Sequence, residues 1–436
     1  MKRELVALVL AVGVGNRFFP FTTDKILFPW FGKPFAQYSI FDGFPEEVTK
    51  VVLVTNSQNH ETLSAFHFRV PHVTVLQRNP LGMADAILSA VSEIQDCSLL
   101  IINGDDVSDP PVFSKVIARA KKSRAFGVIP ATKVTRNVPM GYLEIAHGRV
   151  IRIVEKPSAG NEPSDMIDML GHYIEDSTIL IHELQMNSSS ADDTYEKTIS
   201  SLMGKYDFVY EEHVGSFASL KYPWHVLDVN EILLSRLNNH RGKNVEIKSN
   251  VVIEGNVYID EGVKIFENTK IVGPCYIGKD TIIGNNNIIR QSHIGAHSVT
   301  GFNTDITRSY VGDHCWFHSN YIGDSVLEEN VSLGSGAVLA NLRLDDGDIS
   351  STVRTERVTT GRNKLGVLVG KHVRIGVNAS IMPGIKVGMN SFIGSGVILD
   401  KDLPEESYCV AKEAYTTTRN RTTVEQSDRS KFKSKI

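Results

Sequence analysis

Gly13, Gly15 and Arg17 stand directly after an apolar run, and glycines so placed let backbone N–H groups approach a phosphate. Taken alone, a Gly-x-Gly also makes an ordinary tight turn. Here it is followed in order by Lys25, Lys33-Pro34, Gln77 with Leu81-Gly82, Gly104-Asp105 and Glu155-Lys156-Pro157. Asp105 closes another apolar run, at the carboxyl edge where open α/β sheets bind ligands, and is a candidate Mg²⁺ ligand. A second constellation lies far along the chain: His318 ahead of Asn320-Tyr321-Ile322-Gly323-Asp324, then Gly334-Ser335-Gly336, Asn341 and Lys364-Leu365-Gly366. One histidine among fourteen usually sits at the surface or in packing, and it is the setting of His318 that singles it out.

The first set needs a sheet to carry it. Glu4 to Val12 reads as a strand buried on both faces, and Val51-Val54, Val73-Leu76 and Leu99-Ile102 are further apolar runs. They alternate with helical or loop segments such as Met83 to Gln95, which is βαβ patterning and predicts a mainly parallel α/β sheet. The opening residues superficially resemble a signal peptide. Arg17 follows, however, and no small-x-small cleavage site precedes a new start, so a buried first strand is the better reading.

The second set needs a coil. Ile247, Ile253, Ile259, Ile265, Ile271, Ile277, Ile283 and Ile289 recur at a spacing of six, with Val245, Val251, Val257, Val263, Thr269, Cys275, Thr281 and Asn287 two residues before each. Neither a helix nor an alternating strand has that period, whereas a β-helix of hexapeptide repeats does. After a disturbed middle the period returns in Val369, Ile375, Ile381, Val387, Ile393 and Leu399, so one solenoid is expected from Val245 to Leu399. Excursions from a regular coil usually carry function, which directs attention to the stretch between Asn341 and Lys364.

A chain of 436 residues is too long for one core, and 46 basic against 50 acidic residues give no sign of a nucleic-acid partner. No apolar run reaches membrane-spanning length. Cys97, Cys275, Cys315 and Cys409 form no C-x-x-C pair and read as free thiols of a reducing cytoplasm. The division expected is an α/β domain over residues 1–225, a linker helix over 226–243 stopped at Gly242, the coil over 244–410, and a basic tail over 411–436. The tail holds seven basic and three acidic residues and reads as a solvated arm.

With these motifs in order, residues 4–235 resemble the sugar-1-phosphate nucleotidylyltransferases. The coil from 245 to 410 resembles the acetyltransferase half of the bifunctional enzymes that make UDP-N-acetylglucosamine, especially their archaeal type. The resemblance implies a Rossmann-like domain followed by a left-handed parallel β-helix that forms homotrimers. In the first domain it implies that Arg17 and Lys25 neutralise a triphosphate, UTP or dTTP, bound at Gly13 and Gly15. Asp105 would hold Mg²⁺, Gln77 and Gly82 would read the base, and Gly141, Glu155 and Lys156 would face the sugar phosphate. In the coil it implies that His318 is general base on an amino-sugar 1-phosphate, with glucosamine and galactosamine both open. Arg290, Tyr321 and Asn341 would hold that sugar, Asp305 standing where the family has Glu, while Ser335 and Lys364 would approach acetyl-CoA and the tail would close over its phosphates.

The chain also departs from the pattern. Asn16, Asp24 and Met83 stand where the family has Thr or Ser, Pro, and Thr. Met169 replaces a sugar-contacting Asn, Ser219 lies where a second metal ligand is usual, and Thr307, with Arg308 beside it, replaces a phosphate-binding Lys. Two rival readings follow: a protein that keeps only the acetyl transfer, and a regulatory or scaffold protein of the same architecture.

Overall fold

The computed structural model describes residues 3–13, 15–41, 44–79, 81–109, 111–135, 137–138, 140–169, 171–187, 193–412 and 417–421. Most of the basic tail therefore lies outside the described residues. In the first domain Leu5–Ala11 pairs in parallel with Lys50–Thr55 and with Ser98–Asn103, and Lys50–Thr55 pairs in parallel with His72–Leu76. These are the four apolar runs of the sequence. The sheet continues past Ser98–Asn103 through strands that pair antiparallel: His172–Ile174, Gly127–Lys133, Met166–Asp168, Gly141–Ala146 and Arg149–Glu155. The parallel half thus carries Gly13, Gln77 and Asp105 at its strand ends, and the antiparallel half carries Gly141, Glu155 and Asp168. The helical stretch after Gly82 is shorter than Met83 to Gln95: an α-helix over Met83–Ser89 gives way to a single 3-10 turn at Val91–Glu93.

The coil is a parallel β-helix with three faces. One face stacks His240–Arg241, Val257–Ile259, Cys275–Ile277, His293–Ile294, Tyr310–Val311, Val326–Leu327, Leu368–Val369 and Lys386–Val387. The repeated isoleucines point inward and are essentially without solvent contact from Ile265 to Ile294. The disturbed middle proves uninterrupted in space. Ile253, Ile271 and Ile289 stack eighteen residues apart, then Ile306 and Ile322 follow after seventeen and sixteen, so turns shorten while the inward position is kept. Ile271→Asn would bury an amide in this apolar column and is expected to cost about 2–4 kcal/mol, read as the fall in unfolding free energy in urea.

The helix before the coil ends earlier than expected. It runs over His225–Ser235, and Gly242 does not stop it: His240–Arg241 already pairs with Val257–Ile259, and the Gly242 N–H donates to Ile259. His240 is drawn into the coil by stacking on Tyr258 at 4.3 Å, the first step of a ladder through Tyr276, His293 and Tyr310. The excursion between Asn341 and Lys364 is ordered over much of its length. It forms an antiparallel hairpin, Ile349–Val353 with Glu356–Arg362, whose Arg362 pairs with Asp228 on the joining helix.

The segment after Arg17 locks the two domains together. Phe18, Phe28, Trp30 and Phe35 from the first domain share one buried cluster with Trp224, Tyr310, Val326, Leu365 and Leu368. Tyr310 packs its ring against Phe28 and Trp30 and donates its hydroxyl to the Pro29 carbonyl at 2.6 Å. At the same junction Glu328 is 3% exposed, accepts from Thr23 at 3.0 Å through Oε1, and leaves Oε2 without a partner. Burial pushes its carboxyl up to about 7, against the pull of Lys371 and the Thr23 hydroxyl. The folded state therefore holds this proton more tightly than the unfolded chain, and stability falls as pH rises from the ordinary value of 4.5 toward 7. Glu328→Gln is expected to raise stability by about 1–3 kcal/mol above pH ~8, with the gain vanishing below pH ~4.5 in melts across that range.

Candidate functional site

A cleft of about 620 Å³ opens along the strand ends of the first domain. Gly13, Arg17, Lys25, Gln77, Gly82, Asp105, Gly141, Glu155 and Lys156 all line it, although they span most of that domain in sequence. Gly15 is not part of this lining. It adopts φ +67°, a conformation glycine permits, and its carbonyl accepts from Phe18 to close the turn. Lys25 and Asp105 form a nearly buried ion pair across the floor, and a Cβ on Gly13 would come within 3.4 Å of the Lys25 ammonium. The loop thus leaves its backbone close to a cation.

Asp24 holds this floor in place. Its carboxylate caps the Lys25–Leu27 turn through the Ile26 N–H at 3.0 Å and accepts from Asn56 at 3.0 Å and Asn59 at 3.1 Å. Asn59 also donates to the Ala11 carbonyl at 2.8 Å, so one polar cluster fixes both the end of the first strand and the lysine. Burial raises the Asp24 carboxyl pKa, and the two asparagines, the Ile26 N–H and Lys25 oppose it. Gln77 is buried and aimed by Asp85, to which its amide donates at 2.6 Å.

Four charged residues of the cleft escaped the sequence reading: Asp106, Asp168, Glu196 and Lys221. Asp106 lies beside Asp105 and opposite Ser219 in the pairing of Asp106–Asp109 with Ser216–Ser219. Burial, then the charge of Asp105, raises its carboxyl pKa, and both aspartates keep a buried Oδ1 without a hydrogen-bond partner. The acid sought near Ser219 is therefore across the strand from it. Lys221 lines the cleft two residues on. Asp168 lines it also, whereas Met169, the expected replacement, is buried with Val128 and Phe113 on the other face of the sheet. Successive strand residues point to opposite faces, so the cleft position belongs to Asp168. Among the described residues no group of three or more His, Cys, Asp or Glu gathers as a metal cage.

On the coil the second set collects along one face, where Ile288–Arg290, Asp305–Thr307, Tyr321–Gly323 and Val338–Leu339 stack in register. Arg290 donates to both oxygens of Asp305 at 2.9 Å. Tyr321 donates to Asn341 Oδ1 at 3.2 Å, and Asn341 donates to Asp324. Arg308 grips the same Asp324 through two bonds of 2.7 Å, which raises its own pKa, while Thr307 is buried. Two arginines thus stand near this line, each tied to a carboxylate.

His318 lies in the turn leading into Tyr321 and is exposed. Its backbone N–H donates to Asn320 Oδ1 at 2.8 Å, and the buried Asn320 amide spans to the carbonyls of Gly334 and Ala337 in the next coil. Ser335 belongs to that next turn, stacked on the first through the bond from Gly336 to Ser319. Lys364 is bridged to Leu342 where the excursion rejoins the coil, beside Asn341. Ser335 and Lys364 are exposed like His318, so the chain presents the three on an open surface. Two cysteines of the coil offer no competing chemistry: Cys275 and Cys315 are buried, which pushes their thiols up to about 11 and about 12.

The nucleotidyl transferase family matches residues 6–221, and the bacterial transferase hexapeptide (six repeats) family matches residues 366–401. The chain is 30% identical over 408 residues to the bifunctional sugar-1-phosphate nucleotidylyltransferase/acetyltransferase of Sulfurisphaera tokodaii, covering 91% of this chain and 98% of that one. It is 28% identical over 430 residues to the bifunctional protein GlmU of Methanococcus vannielii, covering 93% and 98%.

Proposed function

This chain belongs to the bifunctional sugar-1-phosphate nucleotidylyltransferase/acetyltransferase family, and from that premise we propose that it makes a UDP-N-acetyl amino sugar in two steps. The coil transfers acetyl from acetyl-CoA to glucosamine 1-phosphate or galactosamine 1-phosphate. The first domain then joins the N-acetylated sugar 1-phosphate to the uridylyl group of UTP and releases pyrophosphate. The observation that carries this reading is the convergence, in one cleft, of nine side chains or backbones that the sequence scatters from Gly13 to Lys156.

In the cleft the sugar-phosphate oxygen attacks the α-phosphorus and pyrophosphate leaves, a reaction that is mostly positioning and charge neutralisation. Arg17 and Lys25 supply positive charge to the triphosphate, Gln77 and the Gly82 backbone read a pyrimidine, and Gly141, Glu155 and Lys156 hold the sugar phosphate. The unpartnered oxygens of Asp105 and Asp106 fit Mg²⁺, which takes one or two carboxylates and leaves its other positions to water and phosphate. When bound, that ion would spread the triphosphate charge. In the coil the His318 imidazole takes the proton from the attacking amine as general base. Arg290, Tyr321 and Asn341 orient the sugar, and Ser335 and Lys364 meet the CoA side.

Exposed aromatic side chains along one face of the coil support a homotrimer built through it: Trp316 is 52%, Phe392 51% and Tyr408 73% exposed, with Ser332 and Arg374 between the first two in the stack. A second copy seated there would enclose the open surface around His318. No helix is long and apolar enough to cross a membrane among the described residues, and free cysteines together with small phosphorylated substrates suit the cytoplasm. The test is two separate assays on the purified chain, thiol release from acetyl-CoA with each amino-sugar 1-phosphate and pyrophosphate release from UTP with each N-acetylated product. Both activities are expected. Absence of thiol release with either sugar would leave the coil a structural element, and absence of pyrophosphate release would leave the first domain a scaffold.

A further inference from the structure

The surroundings of Gln77 decide which end of its amide a base in the cleft would meet. Gln77 follows directly on the strand His72–Leu76, and its backbone N–H donates to the Thr55 carbonyl at 2.9 Å, so the sheet fixes its place at the cleft. The residue is 5% exposed, and its Nε2 donates to Asp85 Oδ2 at 2.6 Å and to the Gly82 carbonyl at 3.3 Å. An ionised carboxylate and a carbonyl only accept hydrogen bonds, so turning the amide over would set its oxygen against both. Asp85 stands in the first turn of the helix Met83–Ser89 and does not line the cleft, whereas Gln77 and Gly82 do. Both amide hydrogens are thus engaged within the protein. Oε1 remains for a ligand, and among the described residues nothing donates to it.

A fixed acceptor discriminates between bases by the edge they present. Uracil and thymine carry an N–H at N3, which donates to Oε1. Cytosine carries a lone pair at N3, which would face the oxygen with like partial charge and leave a buried acceptor unpaired. The two kinds of pyrimidine share one ring size, so shape alone does not separate them. A site built on a donated hydrogen bond rejects an analogue lacking the donor far more strongly than a site built on shape.

We infer that Asp85 sets the base preference of the first domain: by holding the Gln77 amide it leaves only the Oε1 acceptor to the base, and so selects uracil or thymine over cytosine. The inference rests on the nucleotidylyl reading of the cleft. Asp85 touches no substrate in this scheme and is a positioning residue that acts through Gln77. Without its carboxylate only the longer bond to Gly82 restrains the amide, which is then free to turn its NH₂ group toward the N3 lone pair of cytosine. Charge-assisted bonds are roughly twice as strong as neutral ones, so Asn at this position restrains the amide less than Asp.

The test measures kcat/KM for pyrophosphate release from UTP, dTTP and CTP, with N-acetylglucosamine 1-phosphate or N-acetylgalactosamine 1-phosphate as the sugar, in wild type, Asp85→Ala and Asp85→Asn. Wild type is expected to prefer UTP to CTP by about 10²-fold or more. Asp85→Ala should lower that ratio by about tenfold or more, and Asp85→Asn by less. The ratio of UTP to dTTP should stay within about twofold of wild type, since thymine presents the same N3–H, whereas a general loosening of the cleft would lower all three rates together. Ser89 bonds the backbone carbonyl at Asp85, a contact that both substitutions keep, and Asp85→Asn also keeps the side chain's size and carries the test should Asp85→Ala not fold. A UTP to CTP ratio unchanged in the folded variants, or a wild type that uses CTP as readily as UTP, overturns this inference alone. No pyrophosphate from any nucleotide overturns the nucleotidylyl reading and this inference with it.

Discussion

His318→Ala is expected to lower acetyl transfer from acetyl-CoA by about 10²- to 10⁴-fold, the usual worth of a positioned general base. Pyrophosphate release should stay within about twofold of wild type. The side chain is exposed and its backbone is held by Asn320 through a bond the substitution keeps, so the coil should fold unchanged. Removing the imidazole leaves the amine to lose its proton to water. Thiol release at saturating acetyl-CoA measures the loss, and a circular-dichroism melt matching wild type shows that the chemistry alone was changed. Activity kept within about threefold would remove His318 from the mechanism.

Asp105→Asn should do the reverse. It deletes a charge from the pair with Lys25 and from the two carboxylates with unpartnered oxygens, and keeps the shape of the floor. Pyrophosphate release is expected to fall on the order of 10²- to 10³-fold, with the Mg²⁺ concentration needed for half-maximal rate rising, and acetyl transfer is expected to be unaffected. The rise in Mg²⁺ requirement separates a metal-holding role from a purely structural one. A fall in rate with an unchanged Mg²⁺ requirement would assign Asp105 to Lys25 rather than to the ion.

The parts of the fold with a regular period were the legible ones. The isoleucines from Ile247 to Ile289 could be read because each hexapeptide repeats one inward position, and the parallel strands because runs such as Leu99 to Ile102 are apolar on both faces. The strands Met166–Asp168 and His172–Ile174 are three residues long and show no period, so the antiparallel half of the sheet, and with it the face of Asp168 against Met169, could be read only from the pairing. The same holds for Asp106, whose relation to Ser219 is a cross-strand one. The shortened coils around Ile306 and Ile322 broke the six-residue count without breaking the stack. The excursion after Asn341 drew a functional expectation because irregular stretches often carry sites; that it forms a hairpin, tied to the joining helix by Arg362 and to the coil by Lys386, could be read only from the pairing. Asp324 was visible in the motif, but its link to Arg308 depends on the stacking of coils sixteen residues apart.

The most direct measurement runs both half-reactions on wild type, His318→Ala and Asp105→Asn, with folding checked by melting of each protein. Two separate sites on one chain predict that His318→Ala loses only thiol release and Asp105→Asn loses only pyrophosphate release. Loss of both activities in either well-folded variant would contradict the account.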